Sequence, residues 1–569
     1  MRNTISELVS GAVSAAIAAG ELSLASVPES AVERPRDPSH GDWATSVALR
    51  CSKEAGRPPR EVAETIARHL GEHPDIAAVE VAGPGFINLR LAPVALQRIL
   101  RQAREADRDF GRCDQGHGRR VQVEFVSANP VGPMHVGHGR WAALGDSMAR
   151  VLAHAGWNVE REFYVNDAGV QMDVFAASVS ARYLELCGAT VAFPEEGYRG
   201  AYIAEIAAEI FAEEATCWLD ATPAAREAYF KEKAYKQVLE HLRHVLHGMG
   251  VDFDVWFSER TLHAPGADGG PSEIESAILA LRERGYIYDH EGAVWFRSTD
   301  FDDDKDRVLV KADGSYTYFA ADIAYHKDKF DRGFDRVINI WGADHHGYVA
   351  RMQAAVAALG HEGQLDVVIG QLVNLLRGGE PVRMSKRTGE MVTFEELLDD
   401  VGPDAARYWF LRRSTDQQVD FDIEVARQQS ADNPVYYVQY AYARICSILR
   451  KAAGVDADDE RDADTLSAVL RLGEADLSLL AEEAELSLMR KLGEFDDVVD
   501  IAARDLAPFK LTRYAEDLAA AFHQFYTVCR VVDPAEPALT SARLFASDAT
   551  RRALRCVLGL LGVSSPERM

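Results

Sequence analysis

Three things are scarce in this chain of 569 residues. Cysteine is the first. The seven (Cys51, Cys113, Cys187, Cys217, Cys446, Cys529 and Cys556) are scattered, odd in number and never spaced C-x-x-C. That argues against a disulfide framework and points to a reducing cytoplasm. Long apolar runs are the second. No uninterrupted stretch of about 18 apolar residues occurs, so no membrane span is expected. Val9–Gly20 is apolar and follows Arg2, but Glu7 interrupts its start. Leu8, Val13, Ile17 and Leu22 have near-helical spacing, which reads as an amphipathic helix rather than a signal peptide. Positive charge is the third. Lys and Arg number 62 against 89 Asp and Glu, a net charge of −27. This removes a long-range basic field, though not a local basic surface. Candidate surfaces are Arg57/Arg60, Arg98/Arg101/Arg104 and Arg444/Arg450/Lys451. Part of the acidic excess sits in Asp456–Asp464, which has no apolar pattern and reads as a solvated loop between helices. No internal repeat and no low-complexity tract stands out.

The chain is too long for a single core, which predicts three or four domains. Residues 1–112 mix helical and strand-like stretches. Val79–Ala82 and Phe86–Leu91 flank Gly83-Pro84-Gly85 and predict a β-hairpin. Asp107–Gly118 is a linker candidate. From about 119 to 375, strands (Val121–Val126, Val337–Trp341, Val367–Ile369) alternate with helices, the pattern of a parallel sheet with crossover helices. An Ala/Glu-rich helical insertion at about 172–250 interrupts it. Residues 393–569 read as helical throughout, with no convincing strand.

The most informative stretch is Glu124–Arg140, EFVSANPVGPMHVGHGR. An apolar run of β character leads into a turn at Pro130, Gly132 and Pro133. His135-Val136-Gly137-His138 then opens a helix with Trp141, Leu144, Met148, Val151 and Leu152 on one face. A strand, a glycine-containing turn and a helix N-terminus form a phosphate-binding arrangement, because free N–H groups and the positive end of the helix dipole point the same way. Taken alone, His-x-x-His could be structural or metal-binding. The intervening residues include no Glu and no Cys lies near, which weakens the metal reading. The upstream polar groups Glu124, Ser127 and Asn129 stand at a strand end, where open α/β sheets bind ligands. A second anion-seeking segment follows about 250 residues later. Pro381–Glu390, PVRMSKRTGE, carries Arg383, Lys386 and Arg387 beside Ser385 and Thr388.

HVGH followed by MSK in this order resembles the two nucleotide-binding motifs of class I aminoacyl-tRNA synthetases. Met384, Ser385 and Lys386 match the second motif, with Arg383 in place of its first Lys and Arg387 in place of its last Ser. The flanking strings resemble the bacterial arginyl-tRNA synthetase family: EFVSANPVGPMHVGHGR itself, YVNDAG (Tyr164–Gly169), YFAADIAYH (Tyr318–His326), WGADHHGYVARM (Trp341–Met352), NPVYYVQYAYARI (Asn433–Ile445), RPRDPSHGDWAT (Arg34–Thr45) and GPGFINLRL (Gly83–Leu91).

This resemblance implies a multidomain α/β plus all-α protein. It comprises an N-terminal tRNA-contacting α/β domain (1–112), a Rossmann-like catalytic domain (113–392), and a helical region (393–569) whose anticodon-binding bundle spans about 433–569. The implied reaction joins L-arginine to tRNA(Arg) through an arginyl-adenylate, with ATP as substrate and Mg2+ carried on its phosphates. The implied enzyme is a cytoplasmic monomer with no membrane partner.

The same resemblance assigns His135, His138 and Lys386 to catalysis. It assigns His135, Gly137, His138, Gly342, Asp344, Arg383, Met384, Ser385, Lys386 and Arg387 to ATP. Glu124, Ser127, Asn129, Tyr318 and Asp322 are assigned to arginine. Asp322 is the acceptor that suits a planar, always-charged guanidinium, and Tyr318 shares its helix face. No resident metal site is expected, although His345 and His346 could be ligands. Phe86, Asn88, Tyr436, Gln439, Tyr440 and Arg444 are assigned to tRNA. Strand alternation puts Phe86 and Asn88 on one face, which is expected to be exposed. Two other readings remain: a small-molecule nucleotidyltransferase, and a silent relative that binds tRNA or arginine for regulation.

Overall fold

The computed structural model describes residues 2–28, 31–35, 37–266, 269–382, 392–456 and 459–569. The N-terminal region is an antiparallel sheet ordered Val32–Glu33, Trp43–Thr45, Phe86–Leu91, Ile76–Ala82. Helices Arg2–Ala18, Val47–Ala55, Pro59–Gly71 and Pro93–Ala106 pack with it. The first helix buries Ile5, Val9, Ala12, Val13 and Ala16 as one stripe, so it is the expected amphipathic helix. The hairpin forms as expected, with Ala82 opposite Phe86. Its turn depends on Gly85, at φ 144°, because a Cβ there would come 2.9 Å from the Pro59 carbonyl oxygen.

The central sheet has five parallel strands ordered Leu365–Gly370, Arg336–Gly342, Arg120–Glu124, Asn158–Val165, Val255–Ser258. Numbered along the chain, that order is 3-2-1-4-5 read from the Val255–Ser258 edge. The direction of winding therefore reverses between Arg120–Glu124 and Arg336–Gly342, and a crevice opens beyond their carboxyl ends. Helices Val170–Leu186, Ala201–Glu214 and Pro223–Gly248 interrupt the alternation between the second and third strands. They are the expected insertion. A small antiparallel sheet of Ile287–His290, Ala293–Phe296 and Arg307–Val310 precedes helix Tyr318–Asp331.

Several expectations need correction. The first central strand stops at Glu124 rather than Val126. Val126 and Ser127 turn to positive φ (69° and 42°), which takes the chain out of the sheet. The region after Thr393 is not strand-free. Val419–Asp422 pairs in parallel with Val373–Arg377, a four-residue strand whose partner lies too far away in sequence to leave a local signal. Asp107–Gly118 is not a free tether. Asp107 pairs with Arg552 at 3.0 Å and also with Arg555, and the Phe110 carbonyl accepts from His154 at 2.9 Å. The acidic run is only partly solvated. Asp462 caps helix Ala463–Val469, while Asp464 binds Arg551 at 2.5 Å and Arg555 at 2.7 Å.

The C-terminal helices Pro434–Ala452, Glu483–Leu492, Phe495–Arg504, Phe509–Val528 and Pro537–Leu561 share one core with the N-terminal region, the helix from Val136 and the insertion, while helix Tyr318–Asp331 and its neighbours form a second core. The carboxyl end of the last helix docks on the helix that begins at Val136. Its Leu560 carbonyl accepts from Ser147 at 3.0 Å, and its Leu561 carbonyl accepts from Arg407 at 3.0 Å. Arg407 is itself paired with Asp146 of that same helix. One orphan carbonyl of the last helix is thus satisfied by the helix that carries the HVGH turn, and the next by an arginine paired to that helix. No helix among the described residues is long and apolar enough to cross a membrane.

Candidate active site

The crevice is built from the end of Arg120–Glu124, the start of helix Val136–His154, helix Tyr318–Asp331 and the 3-10 turn Ala343–Tyr348. His135 caps the second of these. Its backbone N–H donates to His138 Nδ1 at 3.2 Å, and the two rings stack at 3.7 Å. A neutral His138 ring that accepts at Nδ1 carries its proton on Nε2 and can donate there. Gly137 is needed because a Cβ would stand 2.9 Å from the His135 ring. Gly139 and Gly145 let Phe394 and Phe125 pack against the helix; a Cβ there would lie 2.2 and 2.1 Å from their rings. The helix therefore sits close to the strand end it follows.

Residues 383–391, which hold Arg383, Met384, Ser385, Lys386 and Arg387, lie outside the described residues. Their flanks are described, and they lie beside the HVGH turn. Thr393 bridges His135, and the Phe394 N–H donates to the Met134 carbonyl at 2.9 Å. On the other side, the Val382 N–H donates to the Leu375 carbonyl.

Glu124 is nearly buried, and Lys329, fully buried, donates to it at 2.6 Å. Ser127 donates to the other Glu124 oxygen at 3.0 Å, and the Ser127 hydroxyl accepts from the Tyr164 N–H at 3.2 Å. The left-handed Val126 and Ser127 backbone is what returns Ser127 to Glu124, and φ of 69° on a β-branched residue is strained. Asn129 stands further out and donates to Gln171 at 2.9 Å.

Asp322, half-buried, lies on the same side. Its Oδ2 accepts from the Tyr348 hydroxyl at 2.5 Å. Burial pushes the Asp322 carboxyl up to about 6; Glu124 and Glu259 add to the rise, and Tyr348 and His345 oppose it. Among the described residues, no Lys or Arg forms an ion pair with Asp322. Tyr318, one turn earlier, is 75% exposed and stands at the mouth of the crevice. Gly342 and Asp344 begin the facing turn. A Cβ on Gly342 would come 2.6 Å from Asp344 and 3.2 Å from Trp141.

Sequence reasoning missed four members of this site: Lys329, Asn339, His326 and Tyr348. Lys329 also contacts Asn339 at 3.0 Å, and Asn339 meets His326 Nε2 at 2.8 Å. His326 Nδ1 contacts the Asp322 carbonyl at 2.7 Å. Burial, helped by Lys329, pushes His326 down to about 3, so it stays neutral and serves as a fixed hydrogen-bonding link. A signal was present. Tyr318, Asp322, Tyr325, His326 and Lys329 fall on one helix face at core spacing, a polar stripe where apolar residues would be expected.

The residues assigned to tRNA divide. Phe86 is 38% exposed, but Asn88 is only 7% exposed. Asn88 sits in an inner strand between Ala44 and Glu80, so the open amide face expected for it is not there. Gln439 is likewise buried. It donates to Asp404 at 2.8 Å and to the Ser564 carbonyl at 3.0 Å, which ties down the C-terminal segment. Tyr436, Tyr440 and Arg444 do share a face. The two rings stack at 6.1 Å, and the Arg444 guanidinium lies 4.9 Å from the Tyr440 and Tyr526 ring centres. Most proposed basic surfaces are neutralised: Arg57 and Arg60 pair with Glu61 and Glu64, Arg98 with Asp75, Arg104 with Asp548, and Arg450 with Glu567.

Known proteins of similar sequence and fold point to one family. Residues 97–430 match the family model for tRNA synthetases class I (R), catalytic domain. Residues 3–91 match the arginyl tRNA synthetase N terminal domain, and 438–569 match the DALR anticodon binding domain. The arginine–tRNA ligase of Moorella thermoacetica is 48% identical across 100% of this chain and 99% of its own length. That of Bacillus subtilis is 44% identical over the same shares. The arginyl-tRNA synthetase structure from Thermus thermophilus superposes with a TM-score of 0.72 at 23% identity, covering 100% of both chains, and so shows the fold. The chain therefore belongs to the arginyl-tRNA synthetases of class I.

Proposed function

We propose that the crevice holds ATP between the His135–His138 turn and the Gly342–Asp344 turn, and seats the arginine side chain on Asp322. The overall reaction is that of the family: ATP-dependent attachment of arginine to tRNA through an arginyl-adenylate. The observation that carries the reading is Asp322, a carboxylate in a poorly solvated site with acidic neighbours, whose Oδ2 accepts from Tyr348 and to which no Lys or Arg is ion-paired among the described residues. A guanidinium supplies the missing charge and a fork of donors.

In this reading the arginine carboxylate attacks the α-phosphate and pyrophosphate leaves. A terminal tRNA hydroxyl then attacks the activated carbonyl. Neither step uses a protein nucleophile, so catalysis is positioning and charge stabilisation. His135 and His138 donate to phosphate and ribose-side oxygens, aided by the helix N-terminus. Lys386, with Arg383 and Arg387, neutralises the departing pyrophosphate, with Met384 and Ser385 in the same ATP-binding loop. Glu124, Ser127 and Asn129 hold the amino and carboxylate end of arginine, and Tyr318 flanks its guanidinium. Magnesium comes with the ATP phosphates. Among the described residues no group of three His, Cys, Asp or Glu side chains is placed to hold a metal ion. Phe86 and the Tyr436, Tyr440 and Arg444 face meet tRNA by stacking and cation–π contact. One chain carries every part the reaction uses, which supports a monomer, and the scattered cysteines suit the cytoplasm.

ATP–pyrophosphate exchange with and without tRNA tests the reading. Arginine-dependent exchange is expected, and lysine should not replace arginine. Exchange supported equally by lysine would overturn the pocket assignment.

A further inference from the structure

Tyr348 ends the turn that begins after Gly342, and it is held on three sides. The Arg351 guanidinium lies 4.8 Å from its ring centre. Phe319, beside Tyr318, meets it edge-on at 5.9 Å, and Trp341 lies 5.9 Å away. Those contacts come from two helices and a strand, so the ring has one orientation and its hydroxyl one aim. That aim is Asp322 Oδ2. Burial and the Asp322 charge both push the Tyr348 hydroxyl up, so it remains a donor. A carboxylate has two oxygens and about four acceptor positions. With Oδ2 engaged by Tyr348, Oδ1 accepts from no described residue.

We propose that Tyr348 is a positioning residue for arginine selection: its hydroxyl fixes the Asp322 carboxylate in one orientation, with Oδ1 turned to receive the guanidinium. The proposal rests on the reading that Asp322 receives arginine. It adds a residue carried by the nucleotide-side turn, so the two halves of the crevice share one side chain. It also makes a charge argument. Asp322 faces Glu124, Glu259, Tyr164 and His345 as well as Tyr348. Two of those neighbours are acids that favour the protonated carboxyl. A donated hydroxyl favours the carboxylate, the form a guanidinium needs.

The test pairs Tyr348→Phe with Asp322→Asn in full-length enzyme, using aminoacylation with arginine from pH 5.5 to 8.5. Phenylalanine keeps the ring and its packing, and thermal unfolding checks the fold. For Y348F the arginine KM should rise about tenfold, the loss of one hydrogen bond to a charged acceptor. The ATP KM should hold, and kcat at saturating arginine should change far less than the arginine KM. The acid limb of kcat/KM for arginine, expected near pH 6 in the parent, should move to higher pH. A residue that only packs would leave that limb in place. If D322N raises the arginine KM while Y348F leaves both the KM and the limb unchanged, the proposal is overturned and the pocket stands. If D322N leaves the arginine KM alone, the pocket reading falls, and this proposal falls with it.

Discussion

Two carboxylates, the buried Asp548 and the half-buried Asp322, sit in opposite electrostatic surroundings. Asp548 lies where the N-terminal region meets the C-terminal helices. It contacts Arg104 at 3.1 Å, Ser467 at 2.8 Å, Arg551 at 2.7 Å and Arg552 at 3.1 Å. Burial raises its carboxyl, but Arg551 and Arg552 outweigh that and hold it below the usual range. Asp464 beside it is held low in the same way, against its own burial, by Arg555 and Arg551. Asp322 is its opposite. Burial and two acids raise it, and the Tyr348 hydroxyl, with His345, opposes them. The first carboxylate is satisfied by its own chain and serves as a joint. The second has no Lys or Arg ion-paired to it among the described residues, and in the proposed reading it is the receptor for arginine.

The largest break in this contrast should come from exchanging charge for amide at each site. Asp322→Asn should lower kcat/KM for arginine by roughly 10²–10³-fold, because a buried charge pair with substrate is lost. Its ATP KM should change little. Asp548→Asn should do the reverse, leaving arginine KM intact but destabilising the fold by about 3–5 kcal/mol, since it strands buried arginines. Steady-state kinetics and urea unfolding on both variants give the comparison. Equal kinetic damage from both would erase it.

Lys386→Ala comes next. Stripping charge from around the leaving pyrophosphate should cut kcat by roughly 10²-fold with little change in arginine KM. Rapid-quench measurement of adenylate formation separates this from slow product release. An unchanged activation rate would remove Lys386 from the chemistry.

A pH titration sharpens the same contrast. If Asp322 receives arginine as proposed, it must be ionised to do so, and kcat/KM for arginine should fall severalfold as pH drops through about 6. Asp548 and Asp464 have depressed values in the fold. Their contribution to stability is present above the ordinary carboxylate range and is lost only as pH falls through those lowered values. Activity should therefore fail at a higher pH than the domain joint does. Thermal unfolding followed alongside kinetics would show the order, and coincident loss would contradict it.

The smallest effect is expected at the hairpin proposed to meet tRNA. Phe86→Ala should raise the tRNA KM about fivefold, within the range for loss of one stacked base, with arginine and ATP kinetics unchanged. Asn88→Ala should act on stability instead, since Asn88 is buried.

The contrast also marks what a single sequence can reveal. The HVGH turn was legible because strand, glycine turn and helix start are consecutive, and each leaves a local pattern. Asp322 was legible once its helix face was considered. Tyr348 was not, because it reaches Asp322 across 26 positions from a short 3-10 turn with no periodicity. Lys329 lies in the charged stretch HKDKF, whose composition does not single it out, yet it is fully buried against Glu124. The joint was misread for a related reason. Asp107 and Asp464 sit in stretches of solvated composition, and their partners Arg551, Arg552 and Arg555 arrive from the far end of the chain. Composition shows a charge but not its partner.

The most direct test of the central claim is discrimination between arginine and citrulline, a near-isosteric uncharged side chain. Aminoacylation would be measured with each amino acid on the parent enzyme and on Asp322→Asn. The parent should prefer arginine by at least roughly 10²-fold, because citrulline leaves Asp322 buried without a cation. In D322N that preference should collapse, chiefly through a weaker arginine KM. A D322N enzyme that still prefers arginine as strongly as the parent would contradict the account.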